Sequence, residues 1–249
     1  MSRITLRFYE ELNDFLAPDL RRRDIVHDFD RRTSVKDMIE SFGVPHTEVE
    51  IILVDGRSVD FSHIVRDGQR ISVYPMFEGL DVSPLLRLRP APLRTPRFVL
   101  DTNLGRLARY LRLLGFDSLY RNDYDDRTIA AIAAKQQRTV LTRDRALLQH
   151  RIITRGYFVR AVRPREQVGE VLQRFDLYGL FRPFSRCTRC NGELHAVEKA
   201  AIAERLEPKT RKYFDKFRIC RDCRQIYWQG SHHDRALRLI AAFRQKPSG

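Results

Sequence analysis

The sequence predicts an α/β protein of three domains, and three observations support this prediction. Residues 1–80 contain short runs in which apolar and polar side chains alternate, separated by Asp-Gly turns, as in a half-buried sheet. Farther along the chain, apolar runs that end at Asp101 and Asp144 alternate with helical patterns, which is typical of parallel strands. Near the C-terminus, four cysteines form two Cys-x-x-Cys pairs.

The first domain, residues 1–80, is predicted to have the element order β-β-α-β-β. The strands are expected at 4–8, 25–29, 51–54 and 71–74, and the helix at 35–42, with Ser34 as its N-cap. This order resembles the β-grasp, ubiquitin-like fold of the small sulfur-carrier proteins. Those carriers use a free C-terminal Gly-Gly, whereas this chain continues beyond Gly79. We therefore expect a docking module for a protein partner, with sulfur transfer or a toxin-like pairing as a weaker alternative.

The positions of the prolines predict the remaining domain boundaries. Residues 81–96 contain four prolines interspersed with arginine, which indicates a stiff extended linker. An α/β domain is predicted over residues 97–183. A further break near Pro183 leaves residues 184–249 for the cysteine-containing domain and a C-terminal helix.

The charge is distributed unevenly along the chain. The net charge is +14 over 249 residues, yet residues 1–80 hold 11 basic and 15 acidic side chains. The positive excess therefore lies beyond residue 80, which favours a polyanionic partner, most simply RNA. No apolar run is long enough to cross a membrane, and the N-terminus lacks the apolar core of a signal peptide, so we expect a cytoplasmic protein.

The two cysteine pairs predict a structural metal site. Cys187 and Cys190 form one pair, Cys220 and Cys223 the other, and 29 residues separate the pairs. Four thiolates complete a tetrahedral zinc shell and leave no position for a catalytic water. Two disulfides or a redox pair are the alternatives, but disulfides suit secreted chains and a redox motif does not need a twin.

Three acidic residues predict a second metal site. Asp101 and Asp144 each follow a buried strand, and Asp126 begins the helix between them. Ligands gather at the C-terminal edge of an open α/β sheet, and carboxylates that meet there repel one another unless a cation lies between them. Their oxygens suit Mg²⁺ or Mn²⁺, which can activate water against a phosphodiester. The alternative is that each aspartate merely caps a helix.

These residues carry a family resemblance over nearly the whole chain. The segments around Asp101, from 104 to 117, from 126 to 130 and from 141 to 144 resemble the Mut7-C family, in which a PIN-like ribonuclease domain precedes a C-terminal zinc ribbon. An N-terminal ubiquitin-like domain is a known companion of that family. The resemblance implies metal-dependent RNA cleavage. Typical PIN domains carry a further acid, for which Asp123 and Asp125 are the candidates here. Thr142 either orients a carboxylate or a metal-bound water or caps the next turn.

Basic and aromatic residues supply candidate RNA contacts. Arg106, Arg109 and Arg112 recur at intervals of three and are predicted to share one helix face, where they contact phosphates or are simply solvated. In the cysteine-containing domain, aromatic side chains can stack on bases or pack a small core. The predicted RNA-binding residues are Arg106, Arg109, Arg143, Tyr227, Trp228 and His232.

The sequence therefore predicts a ribonuclease that requires Mg²⁺ or Mn²⁺, with a structural Zn²⁺ and RNA as its substrate. The alternative is a non-catalytic RNA-binding adaptor in which the acids are only helix caps.

Overall fold

The structure is a computed structural model that describes residues 1–75 and 96–245. The predicted linker at 81–96 falls, except for Pro96, outside the described residues, as do Met76 to Leu80. The described residues form two compact units. One unit comprises the residues before the gap together with Ala130–Phe158, and the other comprises Pro96–Ile129 together with the residues from Val159 onward.

The strands of the described residues are β1 Ser2–Phe8, β2 Ile25–Phe29, β3 Val49–Val54, β4 Arg57–Val59, β5 Arg70–Pro75, β6 Phe98–Leu100, β7 Ser118–Leu119, β8 Thr139–Thr142, β9 Gly156–Phe158, β10 Leu194–Val197, β11 Phe217–Cys220 and β12 Ile226–Trp228. The α-helices are α1 Val35–Ser41, α2 Gly105–Leu114, α3 Asp126–Gln136, α4 Arg145–Leu148, α5 Pro164–Arg174, α6 Pro208–Tyr213 and α7 Ser231–Arg244. These elements confirm the predicted α/β class. They also add a strand, β4, that was not predicted for residues 1–80.

The N-terminal sheet has the strand order β2-β1-β5-β3-β4. Its two central strands, β1 and β5, run parallel, and the other neighbours are antiparallel. The alternating side chains of β1 send Ile4, Leu6 and Phe8 into the core. α1 adds its buried face, and Ser34 accepts a hydrogen bond from the Asp37 amide as the predicted cap. The topology confirms the ubiquitin-like β-grasp fold.

The central segments contain two pairs of parallel strands. In one unit β6 pairs with β7, with Phe98 opposite Ser118, and in the other β8 pairs with β9, with Val140 opposite Gly156. β6 and β8 are buried along their whole length, as expected for strands covered on both faces. α2 packs against α5, and the rings of Phe98 and Phe175 contact each other at 5.4 Å.

The C-terminal region is a three-stranded antiparallel sheet in the order β10-β11-β12. One face carries the cysteines, and the insert between the cysteine pairs covers the other. That insert contains a 3₁₀ helix, Lys199–Arg205, and α6. Ile202 and Leu206 pack there against Phe217, Ile219 and Ile226, so the small sheet has a hydrophobic core of its own. α7 follows, and its Phe243 contacts Tyr110 of α2.

Among the described residues, no helix combines the length and the apolar character that a membrane span requires.

Candidate active site and metal centre

The four cysteines lie close enough together to form a metal centre. All four are free thiols, and their sulfur atoms lie within 4.8 Å of one another. The sulfur atoms of Cys187 and Cys223 are 3.6 Å apart, and those of Cys190 and Cys220 are 3.4 Å apart. A disulfide would bring sulfurs to about 2 Å, whereas four thiolates around a tetrahedral zinc at about 2.3 Å stand about 3.8 Å apart. The cluster therefore has the geometry to hold a metal ion.

The two cysteine pairs adopt the same turn. In the first, the amide of Asn191 donates to the Cys187 carbonyl at 2.9 Å, and in the second, Arg224 donates to the Cys220 carbonyl at 3.1 Å. Both residues that follow a pair have left-handed backbones, with φ of 76° at Asn191 and 59° at Arg224. The next residue, Gly192, makes room for the second pair, because a Cβ at this position would lie 2.8 Å from the Cys220 sulfur. The two turns also contact each other, since the Arg221 amide donates to the Glu193 carbonyl at 3.0 Å.

A tyrosine hydroxyl tunes the thiols. Tyr227 lies on β12, and its hydroxyl is 3.0 Å from the Cys187 sulfur. Burial alone raises the pKa of Cys187, but hydrogen bonds from Tyr227 and from backbone amides outweigh it and bring the pKa to about 7. Burial raises the pKa of Cys190 to about 12. The sequence left two roles open for Tyr227, base stacking and packing of the small core, and in the structure its side chain packs against the cysteine cluster.

A buried arginine joins the first cysteine turn to the strand β7. Arg112 is 3 % exposed, and its guanidinium donates to the carbonyl oxygens of Ser118 at 2.8 Å and Arg189 at 2.9 Å. The predicted stripe of three exposed arginines on α2 is therefore wrong at Arg112. Three residues advance about 300° around a helix, which is about 60° short of a full turn. Arg109 therefore lies about 60° around the helix from Arg106, and Arg112 lies about 120° from it, on the buried side.

The Asn191 side chain makes a second link between the same segments. Its Oδ1 accepts from the Ser118 amide and its Nδ2 donates to Asp117 Oδ1, both at 2.8 Å. Asp117 also pairs with Arg97 and Arg186, which leaves this carboxylate fully engaged. The cysteine turn is thus fixed to β7 through both amide ends of one side chain.

Asp101 and Asp144 occupy equivalent local positions. Each follows a buried strand and precedes a short helix. The aspartate side chain accepts a hydrogen bond from a backbone amide of that helix. Asp101 is 7 % exposed, and its Oδ1 accepts from Thr102, from the amide at 2.5 Å and from the hydroxyl at 3.1 Å. The Oδ1 of Asp144 accepts from the Ala146 amide at 2.8 Å. Within the residues that the structure describes, Oδ2 of Asp144 accepts no hydrogen bond.

The acidic residues around Asp126 differ in their hydrogen-bond and ion-pair partners. Asp125 accepts from the Thr128 amide at 2.8 Å and so caps α3. Hydrogen bonds from the Thr128 side chain and amide lower the pKa of Asp125. Asp123 is exposed and forms a two-point ion pair with Arg121, whose hydrogen bonds lower the pKa of Asp123. Asp126 is the exposed first residue of α3. Because Asp125 is the cap, Asp126 is not required for that purpose.

The other predicted residues fall into three environments. Thr142 is fully buried, and its hydroxyl accepts from the Asp144 amide at 2.9 Å, which fixes the backbone that carries the acid. Trp228 is 38 % exposed, with its ring 6.5 Å from that of Phe214. The exposed candidates with side chains on the surface are Arg106, Arg109, Arg143 and His232.

Comparison with known proteins matches two family models to the chain. Residues 96–240 match the family model of the Mut7-C RNAse domain, and residues 1–81 match that of Mut7-C ubiquitin. No curated protein and no solved structure matches the chain significantly.

Proposed function

Since the chain belongs to the Mut7-C RNAse domain family over residues 96–240, we propose that it is a metal-dependent ribonuclease of the PIN-like type. Family membership supports a nuclease-like function on RNA. The metal dependence is proposed from Asp101, Asp126 and Asp144. The observation that carries the proposal is the position of Asp101, whose largely buried carboxylate directly follows the buried strand β6, where ligands of an open α/β sheet gather.

In the proposed site, the three aspartates hold Mg²⁺ or Mn²⁺. When bound, such an ion lowers the pKa of a coordinated water and offsets the charge that develops on the phosphodiester. The chain's own residues hold the carboxylates in place. The Thr142 hydroxyl accepts from the amide of Asp144 and so fixes its backbone, and the Ala146 amide donates to Oδ1, so Oδ2 is the oxygen that would bind the ion. The proposal requires Asp144 to share one ion with Asp101 and Asp126.

We assign Zn²⁺ to the four cysteines as a structural ion. The sulfur spacing supports this assignment, and four thiolates leave no open coordination position. The bonds from Arg112 and Asn191 tie the zinc-binding turn to β7. The ribbon is therefore proposed to stabilise the neighbouring RNAse segment as well as to present basic residues to RNA.

RNA binding is proposed for the arginines of α2. Arg106 and Arg109 are exposed, and within the described part of the chain neither has a hydrogen-bond or ion-pair partner. Free guanidinium groups next to the segment that carries Asp101 can contact phosphates without first breaking an ion pair. Arg143, Trp228 and His232 are further candidates, since all three are exposed. The ubiquitin-like domain is proposed to contact a protein partner.

Substitution of Asp101 tests the proposal. Asp101→Asn keeps the shape of the side chain and its acceptor for Thr102, but it removes the charge that holds the ion. The proposal predicts that cleavage of a single-stranded RNA in Mn²⁺ is lost while RNA affinity is retained. Asp19→Asn changes an exposed acid of the N-terminal domain and serves as the matched control. Cleavage by Asp101→Asn at the parent rate would show that the metal site is wrongly assigned.

An RNA-binding adaptor is the second candidate, and one observation favours it. Asp101 and Asp144 do cap helices, so both have a structural reason to be present. Calorimetry with Mn²⁺ on the zinc-loaded protein separates the two functions. Binding that Asp101→Asn abolishes supports the nuclease, and absence of binding supports the adaptor.

A further inference from the structure

The ubiquitin-like domain packs directly on part of the RNAse segment. Residues Ala130–Phe158 lie within the match to the Mut7-C RNAse domain, yet they form one compact unit with the N-terminal residues. This stretch contains β8, Asp144, α4 and β9. The N-terminal domain therefore contacts the segment that carries one of the three proposed metal ligands.

Arg145, the residue after Asp144, makes the first contact. Its guanidinium carbon lies 5.1 Å from the centre of the Phe15 ring and 5.5 Å from that of Phe158. Its two terminal nitrogens donate to consecutive backbone carbonyls, Nη1 to Phe15 at 3.4 Å and Nη2 to Asp14 at 3.3 Å. An arginine can make this contact because its planar guanidinium both stacks on rings and presents two parallel donors.

The two rings that receive Arg145 are themselves fixed. Phe15 belongs to the buried core of the N-terminal domain, and Phe158 packs against the same core from β9. Their ring centres are 5.7 Å apart in an edge-to-face arrangement. The Phe158 amide donates to the buried carboxylate of Glu48. Arg145 thus contacts a packed surface built from both segments.

A second set of contacts holds the far end of α4 and the loop after it. The Thr47 hydroxyl donates to the Leu148 carbonyl at 3.3 Å. The buried His46 ring contacts the Ile153 carbonyl at 2.8 Å through Nε2, while Nδ1 contacts Glu40 at 2.6 Å. The four-residue helix α4 is therefore attached to the N-terminal domain at its first residue, Arg145, and at its last, Leu148.

The position of α4 sets the position of the Asp144 carboxylate. Oδ1 of Asp144 accepts from Ala146 in the first turn of this helix, so a shift of the helix carries the carboxylate with it. A displacement of about 1 Å at a catalytic group can cost about 100-fold in rate. We propose that Arg145 is a positioning residue through which the ubiquitin-like domain holds Asp144 in place to bind its metal ion. This inference rests on the proposed function, because it takes Asp144 as a metal ligand.

The test uses the full-length, zinc-loaded protein and three substitutions. Arg145→Met removes the cation and both donors, whereas Arg145→Lys keeps a cation near the rings but loses the fork. Arg151→Met is the control, because Arg151 is an exposed arginine of the same segment and has no partner among the described residues. Steady-state cleavage of RNA is measured as a function of RNA and of Mn²⁺, well below the melting temperature of each variant.

Arg145→Met is expected to lower kcat by about 10- to 100-fold, the usual cost of losing a group that orients a metal ligand. The Mn²⁺ concentration for half-maximal activity should rise by a similar factor, and KM for RNA should not change. Arg145→Lys should restore part of both losses. A merely structural role would lower the melting temperature and leave the Mn²⁺ requirement of the folded protein unchanged.

Two further variants keep the outcomes distinct. Phe15→Leu removes an aromatic ring from the N-terminal domain and should raise the Mn²⁺ requirement in the same direction, even if Arg145→Met fails to fold. Asp144→Asn tests the premise. If Asp144→Asn is inactive while Arg145→Met and Phe15→Leu match the parent, this inference is wrong and the proposed function stands. If Asp144→Asn cleaves at the parent rate, the assignment of Asp144 is wrong and the inference falls with it.

Discussion

The guanidinium of Arg112 donates a 2.9 Å hydrogen bond to the backbone carbonyl of Arg189, in the middle of the first cysteine turn. Its Nε donates at the same time to the Ser118 carbonyl of β7. Burial lowers the pKa of Arg112, and the nearby cysteine thiolates act in the opposite direction. One buried cation therefore links the RNAse segment to a centre whose four thiolates, with zinc bound, carry a net negative charge.

Arg112→Met should destabilise the protein and weaken its hold on zinc. Removal of the guanidinium leaves the buried Ser118 carbonyl without this donor, at a cost of about 1–3 kcal/mol in the free energy of unfolding, and also removes the bond to the part-buried Arg189 carbonyl. Zinc affinity should fall by about 10- to 100-fold, since the turn loses its orienting contact. Urea unfolding and a chromogenic zinc-release assay measure the two effects. Arg109→Met, on the exposed side of the same helix, should change neither quantity, and equal behaviour of the two variants would contradict the account.

Asn191→Gly should separate the backbone role of Asn191 from its side-chain role. Glycine adopts the φ of 76° without strain, so only the bonds to Ser118 and Asp117 are lost. The buried Ser118 amide is left unpaired, at a cost of about 1–3 kcal/mol in the free energy of unfolding. Chemical denaturation of the zinc-loaded protein measures this loss. A stability equal to that of the parent would mean that the link to β7 contributes nothing.

Tyr227→Phe should shift zinc release to higher pH. The Tyr227 hydroxyl helps to lower the pKa of Cys187 to about 7, so its removal raises that pKa. Protons compete with zinc for thiolates, so a thiol of higher pKa loses its metal at a higher pH. Zinc release is followed during acid titration of the parent and the variant.

Trp228→Phe provides the control for this titration, because Trp228 packs near Phe214 and not on the thiols. Its zinc-release midpoint should equal that of the parent. A Tyr227→Phe midpoint that also equals the parent value would show that the hydroxyl does not tune the cluster.

Arg106→Met and Arg109→Met should each weaken RNA binding and reduce its salt dependence. Each lost phosphate contact lowers the slope of log affinity against log salt by about one unit. Fluorescence anisotropy with a labelled single-stranded RNA at several salt concentrations measures the slope. Arg31→Met, in the acidic N-terminal domain, should leave the slope unchanged. Unchanged slopes for both α2 variants would move the RNA-binding surface elsewhere.

Local pattern was sufficient to predict the fold class and, in residues 1–80, the helix α1 and every strand except β4. The structure confirms the alternation of β1, the cap at Ser34 and the grouping of the four cysteines. Each of these patterns, including each Cys-x-x-Cys pair, depends on residues close together in the sequence. The spacing of the α2 arginines did not predict that Arg112 is buried, because Arg112 has the same residue type and the same interval of three as Arg106 and Arg109. A carbonyl 77 residues away in the sequence, that of Arg189, decides where this side chain lies.

The acid site shows the same limit. The sequence left open whether Asp126 is a metal ligand or a helix cap, and only the hydrogen bond from Thr128 shows that Asp125 caps α3. The contacts of Arg145 with Phe15 join residues 130 positions apart, and no local pattern indicates them. Tertiary contacts of this kind set the environment of each candidate ligand, whereas the sequence supplies only the candidates.

The shared metal ion is tested most directly by anomalous scattering from crystals of the full-length protein soaked in Mn²⁺. The account predicts one or more manganese peaks with oxygens of Asp101, Asp126 and Asp144 at about 2.1 Å, the distance usual for a small divalent cation. The same peak should be missing from crystals of Asp101→Asn. Crystals of the parent without a peak at these carboxylates, under Mn²⁺ conditions in which the protein cleaves RNA, would contradict the proposed site.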